Sequence, residues 1–155
     1  MKKFFLFIIA FIFITSLKSF TQQEEKALIF SIDISRSMLN PPGFYQQFKE
    51  NIKNYIKNDV KVNDLVTIYS FGNDVSIVTD VVNFKVSGTQ DIERLIQFID
   101  RLNPTDNKTF LTKAVDIVAD QIAKLQSDYK DLRIKAYIFT YGKNYTTTLT
   151  SYITF

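Results

Sequence analysis

Apolar residues occur along the chain either in continuous runs or at helical spacing. The apolar run of "KALIFSID" (26–33) is nearly unbroken, which is typical of a strand that is covered on both faces, and "DLVTIYSFG" (64–72) and "LRIKAYIFTYG" (132–142) also predict strands. A further apolar segment, "DVSIVTDVVNFKV" (74–86), follows the second run after a tight turn. The pattern therefore predicts four strands, of which the second and third form an antiparallel hairpin.

Three segments between the strands have apolar residues at the spacing of amphipathic helices. They are residues 44–57, 90–102 and 109–126, and Thr89 is the predicted N-cap of the second. The third helix is predicted to direct the following residues inward: Leu111, Ala114, Val115, Val118, Ile122 and Leu125.

The order of these elements is strand, helix, strand, strand, helix, helix, strand. Strands that alternate with amphipathic helices predict an α/β fold, with a Rossmann-like, open and mostly parallel sheet, helices on both faces and one antiparallel edge strand. Ligands of such sheets bind beyond the carboxyl ends of the strands.

The amino terminus has the pattern of a secretory signal peptide. "MKK" is followed by an unbroken run of 11 apolar residues (4–14) and then by a polar stretch. We expect residues 1–21 to be the signal and residues 22–155 to be one exported domain, either periplasmic or extracellular. A membrane association is expected only in the alternative case, in which the amino-terminal segment is retained as an anchor.

Composition narrows the possible chemistry. The formal charge is +3, but residues 1–21 contain three lysines and no acidic residue, so the remaining chain is neutral and no nucleic-acid partner is expected. The chain has no Cys and no His, which excludes disulfides, Ser-His-Asp triads and His-ligated zinc. Any bound metal is expected to be a hard cation with oxygen ligands.

Three oxygen-bearing side chains alternate at the end of the first predicted strand. In "SIDISRSML" (31–39) they are Asp33, Ser35 and Ser37. They either cap the next helix or turn toward a common point and bind a cation, since residue types of this kind do both.

"DISRS" (33–37) resembles the Asp-x-Ser-x-Ser signature of von Willebrand factor type A (vWA) domains. The resemblance extends to "VNDLVTIYSFGNDVSIVTD" (62–80), "NKTFLTKAVDIV" (107–118) and "AYIFTYGKN" (136–144), and it covers roughly residues 26–145. It implies the vWA fold and a metal-ion-dependent adhesion site at the carboxyl end of the sheet.

The resemblance also implies roles for individual residues. Ser35 and Ser37 would donate hydroxyl oxygens to Mg²⁺, and Thr109 would be a further ligand. Asp33 would act through water or through hydrogen bonds to these ligands, and an acidic group of a protein partner would complete the coordination. Mn²⁺ and Ca²⁺ are alternative ions, and capping of the third helix is the alternative role of Thr109.

The sequence departs from the family pattern at two places. Tyr141 stands where the family usually has an aspartate, and a neutral phenol does not replace a carboxylate. Asp106 and Asn107 are the nearby polar residues that could compensate. After Gly142 the family continues with a further helix and strands, whereas 13 residues remain here, so we expect a domain that lacks its C-terminal part.

These observations predict a binding module that is not an enzyme and that adheres to a protein through the metal site. One alternative is a truncated or degenerate vWA domain that binds no metal. A second is a phosphatase similar to haloacid dehalogenases, which would need an aspartate as general acid where this chain has Ser35.

Overall fold

The computed structural model describes residues 25–73, 75–77 (backbone only) and 81–140. The predicted signal, Tyr141 and the last 13 residues lie outside the described part. The elements in chain order are β1 (Lys26–Asp33), a 3₁₀ turn (Arg36–Leu39), α1 (Phe44–Asp59), β2 (Leu65–Phe71), β3 (Val75–Ile77), β4 (Phe84–Lys85), α2 (Thr89–Arg101), α3 (Leu111–Asp128) and β5 (Arg133–Phe139).

The fold is α/β and its sheet is mostly parallel, as the sequence predicted. β1 lies at the centre, between β2 and β5, and is parallel to both. β3 and β4 pair with β2 in the antiparallel direction and together form one edge. The predicted hairpin after β2 is therefore confirmed, with the edge strand in two short segments rather than one.

Helices cover both faces of the sheet. On one face α1 and α2 pack against side chains such as Leu28, Phe30 and Ile68. On the other face α3 packs against Ala27 and Ile29, because successive residues of β1 point to opposite faces. Among the described residues no helix is both long enough and apolar enough to cross a bilayer.

Two sequence predictions about the helices are wrong. Gly88, not Thr89, is the N-cap of α2, and Thr89 is its first helical residue. Leu111 and Val115 of α3 were predicted to point inward, but they are 41% and 39% exposed. The buried face of α3 consists of Ala114, Val118, Gln121 and Leu125.

The strand register brings three strand ends to one edge of the sheet. Asp33 at the end of β1 is paired with Phe71 of β2, and Ile32 is paired with Phe139 of β5. The segment 102–110 joins α2 to α3 and contacts this edge: Thr105 N–H donates to Ile34 O at 3.0 Å, and Phe110 N–H donates to Gly72 O at 3.0 Å. This segment and the three strand ends form the carboxyl edge.

Candidate functional site

Asp33 is fully buried at the carboxyl edge, and both of its carboxylate oxygens accept hydrogen bonds. Oδ1 accepts the Ser35 backbone N–H at 2.8 Å, and Oδ2 accepts the Thr140 hydroxyl at 2.6 Å. Both donors are neutral. No lysine or arginine of the described residues forms an ion pair with Asp33, so its negative charge is not balanced there.

Ser35 and Ser37 direct their hydroxyl groups toward one another beside Asp33. Their Oγ atoms lie 2.8 Å apart and form a hydrogen bond in which either hydroxyl can donate. Two adjacent ligands in an octahedral Mg²⁺ site would be separated by about 2.9 Å, since Mg–O distances are about 2.0–2.1 Å. The donor set therefore fits an oxygen-ligated cation, and the hydroxyl pair is already at the required spacing.

The alternative that these residues cap a helix is wrong for the described helices. Ser35 is the residue that precedes the 3₁₀ turn, but its side chain makes no capping hydrogen bond. The N-cap of α1 is Gly43, which lies six residues beyond Ser37. The side chains of the Asp-x-Ser-x-Ser motif are thus free of a capping role and are directed to each other.

Asp106 connects two strand ends at the carboxyl edge. Its backbone forms a parallel bridge with Ser35, and its carbonyl oxygen accepts the Arg36 N–H at 2.7 Å. Its carboxylate accepts the Asn73 N–H at 2.7 Å and the Thr105 hydroxyl at 3.3 Å. The negative charge of Asp106 is thus placed at the same edge as Asp33, where it fixes the loop to the end of β2.

Gly72 makes this connection possible. A Cβ atom at position 72 would overlap the side chain of Asp106. The glycine therefore has a steric reason, because the Asp106 carboxylate must approach the backbone of residues 72–73 closely.

Thr109 lies in the loop that reaches the same edge, but the structure does not connect its side chain to the serines. It is exposed, and no described residue hydrogen-bonds to its hydroxyl. Its neighbour Phe110 is anchored to Gly72 O at 3.0 Å and is the N-cap of α3. The alternative that Thr109 caps α3 is therefore wrong.

Two residues at this edge were missed by the sequence analysis. Thr140 follows β5 and reaches Asp33, which only the β1–β5 register could have indicated. Tyr45 of α1 is buried, and its hydroxyl has no hydrogen-bond partner among the described residues. Burial, and secondly the negative charge of Asp33, raise the pKa of Tyr45 to about 12.

The candidate site depends on hydroxyls more than on carboxylates. In the described ranges no group of three or more Asp, Glu, His or Cys side chains converges in a way that could hold a metal ion. A cation at the carboxyl edge would therefore be held mainly by Ser35 and Ser37 and would retain most of its positive charge.

Comparison with known structures supports the same fold. The vWA domain protein from Catenulispora acidiphila has a TM-score of 0.59 at 16% identity, covering 74% of this chain and 26% of that one. Proximal thread matrix protein 1 from the mussel byssus, described with a zinc-occupied MIDAS motif, has a TM-score of 0.54 at 13% identity, covering 74% and 36%. BatB from Bacteroides thetaiotaomicron has a TM-score of 0.51 at 15% identity, covering 73% and 65%.

This chain spans only about a quarter to about a third of the first two proteins, so their activities as whole proteins do not transfer to it. No curated protein sequence matches the chain significantly. The sequence profile of the von Willebrand factor type A domain matches residues 28–143, which is most of the chain and includes the Asp-x-Ser-x-Ser motif. The protein therefore belongs to the von Willebrand factor type A domain family.

Proposed function

We propose that this chain is an exported binding module, without enzymatic activity, that engages an acidic group of a protein partner through a divalent cation at the carboxyl edge. Domains of this family typically mediate protein–protein interactions. The observation that carries the proposal is the fully buried Asp33 carboxylate, held only by neutral donors among the described residues, beside a pair of hydroxyls 2.8 Å apart.

Electrostatics favour a cation at this place. A buried carboxylate costs free energy unless an opposite charge or several hydrogen bonds compensate for it. Asp33 has two hydrogen bonds and no described cationic partner, so a divalent ion nearby would lower the free energy of the folded state. Mg²⁺ bound there would supply a positive centre for the carboxylate of a partner.

The roles of the residues follow from their contacts. Ser35 and Ser37 would bind the cation directly, because their hydroxyls converge. Asp33 would hold the Ser35 backbone and act on the ion through space or through water, because both of its oxygens already accept hydrogen bonds. Thr109 would complete the ligand set after a movement of its exposed side chain.

The identity of the ion rests on the chemistry of the donors. Hydroxyl and carboxylate oxygens are hard ligands, which favours Mg²⁺ and leaves Mn²⁺ and Ca²⁺ as alternatives. The zinc described in the mussel protein supports a divalent ion at this position of the fold.

A vWA domain that binds no metal is the second candidate function. It is favoured by Tyr141, which stands in place of the usual aspartate, since loss of one supporting carboxylate typically reduces metal affinity by about 10- to 100-fold. The phosphatase alternative has less support, because Asp33 is buried and both of its oxygens are occupied, which is unsuitable for nucleophilic attack.

Thermal unfolding of the full chain with and without Mg²⁺ tests the proposal. Mg²⁺ at about 100 times its dissociation constant should stabilise the fold by about 2.7 kcal/mol, which raises the midpoint by roughly 5–10 °C. The double variant Ser35→Ala/Ser37→Ala should lose this shift, while Ser87→Ala, an exposed serine outside the carboxyl edge, should keep it. If none of Mg²⁺, Mn²⁺ and Ca²⁺ changes the unfolding midpoint of the wild type, the result would favour a vWA domain that binds no metal.

Export is supported by the pattern of residues 1–21. A fusion of the full chain to alkaline phosphatase, which is active only after export, checks this part separately. An inactive fusion would contradict export and leave the cation site untouched.

A further inference from the structure

A pocket outside the carboxyl edge lies between α2 and the antiparallel edge of the sheet. Its volume is about 270 Å³. Its apolar wall comes from both sides of the gap, and two arginines complete the lining: Val81, Phe84, Leu95, Phe98, Arg94 and Arg101. Of the apolar residues, Val81 and Leu95 are buried in the core, so this part of the wall is fixed by packing.

The two arginines differ in their charge balance. Arg94 is largely exposed and forms an ion pair with Asp91 at 3.2 Å, so it has an acidic partner of its own. Arg101 has no acidic partner among the described residues, and its guanidinium lies over the ring of Phe98 at 5.7 Å from the centroid. Stacking on an aromatic ring orients a guanidinium while it leaves the N–H groups at its edge available to an anion.

The arrangement along α2 places charge and apolar surface together. Arg94, Phe98 and Arg101 are spaced four and three residues apart, so they lie on one face of the helix. The apolar wall of the pocket therefore lies beside Arg101, a cation without a counter-ion among the described residues. Planar carboxylates match the paired N–H groups of a guanidinium.

We propose that this pocket binds a small carboxylate that carries an apolar group about the size of a phenyl ring. The apolar group would pack against Leu95 and Phe98, and the carboxylate would accept hydrogen bonds from Arg101. The volume is slightly below the usual range for drug-sized ligands, about 300–1,000 Å³, so the ligand is small. This proposal is independent of the cation site.

The experiment uses 3-phenylpropionate as the probe and 3-phenylpropionamide, its neutral amide of nearly the same shape, as the matched control probe. Binding to the full chain is followed by NMR titration at low salt. We expect saturable binding of the carboxylate, with shifts at residues of α2 and β4, and an affinity at least about tenfold weaker for the amide, because a charge-assisted hydrogen bond is lost.

Arg101→Gln should weaken binding of 3-phenylpropionate by about tenfold or more and leave binding of the amide unchanged. Lys85→Gln is the control variant, because Lys85 is an exposed cation on the same edge that does not line the pocket. Equal affinities of the two probes for the wild type, no saturable binding, or full binding by Arg101→Gln would each overturn the proposal. The comparison of probes on the wild type decides the matter even if the variant does not fold.

Discussion

The two ends of the sheet each bury one carboxylate, and they compensate for the charge differently. At the amino end, Asp64 precedes β2 and is 1% exposed; its oxygens accept the backbone N–H groups of Lys26 at 3.3 Å and Lys61 at 2.7 Å. The ammonium of Lys26 lies 3.8 Å away. At the carboxyl end, Asp33 has only neutral donors among the described residues.

The difference lies in the cation that the described residues supply beside Asp64 but not beside Asp33. Burial raises the pKa of Asp64, and the hydrogen bonds and positive charges of Lys61 and Lys26 oppose this shift only in part, so the protein compensates for some of that charge with its own groups. Asp33 is left without such a cation in the described part, and the adjacent hydroxyls of Ser35 and Ser37 are where we propose that one from solution binds. The proposed ligand therefore belongs to the end of the sheet whose buried carboxylate has no described cationic partner.

The largest expected effect on stability is at the amino end of the sheet, where Asp64 lies. Asp64→Asn should destabilise the fold by about 3 kcal/mol, because an amide keeps one acceptor oxygen and turns its NH₂ group toward a backbone N–H that cannot reorient. Urea unfolding of the full chain measures this loss, which should be the same with and without Mg²⁺. A loss of less than about 1 kcal/mol would show that Asp64 does not hold β1 and β2 together at this end.

Replacement of the carboxylate by an amide at the carboxyl edge should affect stability differently. Asp33→Asn should cost little in the absence of divalent ions, because the Thr140 hydroxyl can rotate and accept a hydrogen bond from the new amide. With Mg²⁺ the variant should lack the stabilisation of about 2.7 kcal/mol expected for the wild type. If Asp33→Asn were as costly as Asp64→Asn in metal-free buffer, Asp33 would be a structural carboxylate as well, and the contrast would fail.

The sequence was informative where local patterns decide the structure. β1 has the predicted bounds, since its apolar run is nearly unbroken, and the alternation of Asp33, Ser35 and Ser37 does bring the two hydroxyls together. The contact of Thr140 with Asp33 could not be predicted, because it depends on the register of β5. Asp106 could be named only as a nearby polar residue, because its contacts depend on the path of the segment 102–110. Long-range pairing of this kind leaves no signal in local periodicity.

The errors in the helices have a related cause. Periodicity correctly placed Ala114, Val118 and Leu125 on the inner face of α3, but it also placed Leu111 and Val115 there. Gln121, which the apolar pattern did not include, is buried instead of those two. Gln121 is buried because its amide donates to Asn83 Oδ1 at 2.7 Å. A polar residue with a tertiary partner therefore occupies a position that the apolar pattern would not assign to the core.

The smallest expected effect concerns Tyr45, because its pKa depends in part on the negative charge of Asp33 at the carboxyl edge. The pKa of Tyr45 is about 12 in the folded state and near 10 in the unfolded chain. Between these two pH values the folded state keeps the phenol proton, whereas the unfolded chain loses it. Stability from this group is therefore complete below pH 10 and falls by about 2 kcal/mol as the pH rises through 12. Denaturant unfolding between pH 9 and 12 measures the slope.

Two variants test whether Tyr45 and Asp33 cause this dependence of stability on pH. Tyr45→Phe should remove the contribution, and it should not destabilise the fold at neutral pH, since the buried hydroxyl has no described partner to lose. Asp33→Asn should reduce the slope, because burial is the larger cause of the shift and Asp33 the smaller. A slope that Asp33→Asn leaves unchanged would mean that the charge of Asp33 is already compensated in the folded chain, and the carboxyl edge would then have no electrostatic need for a cation.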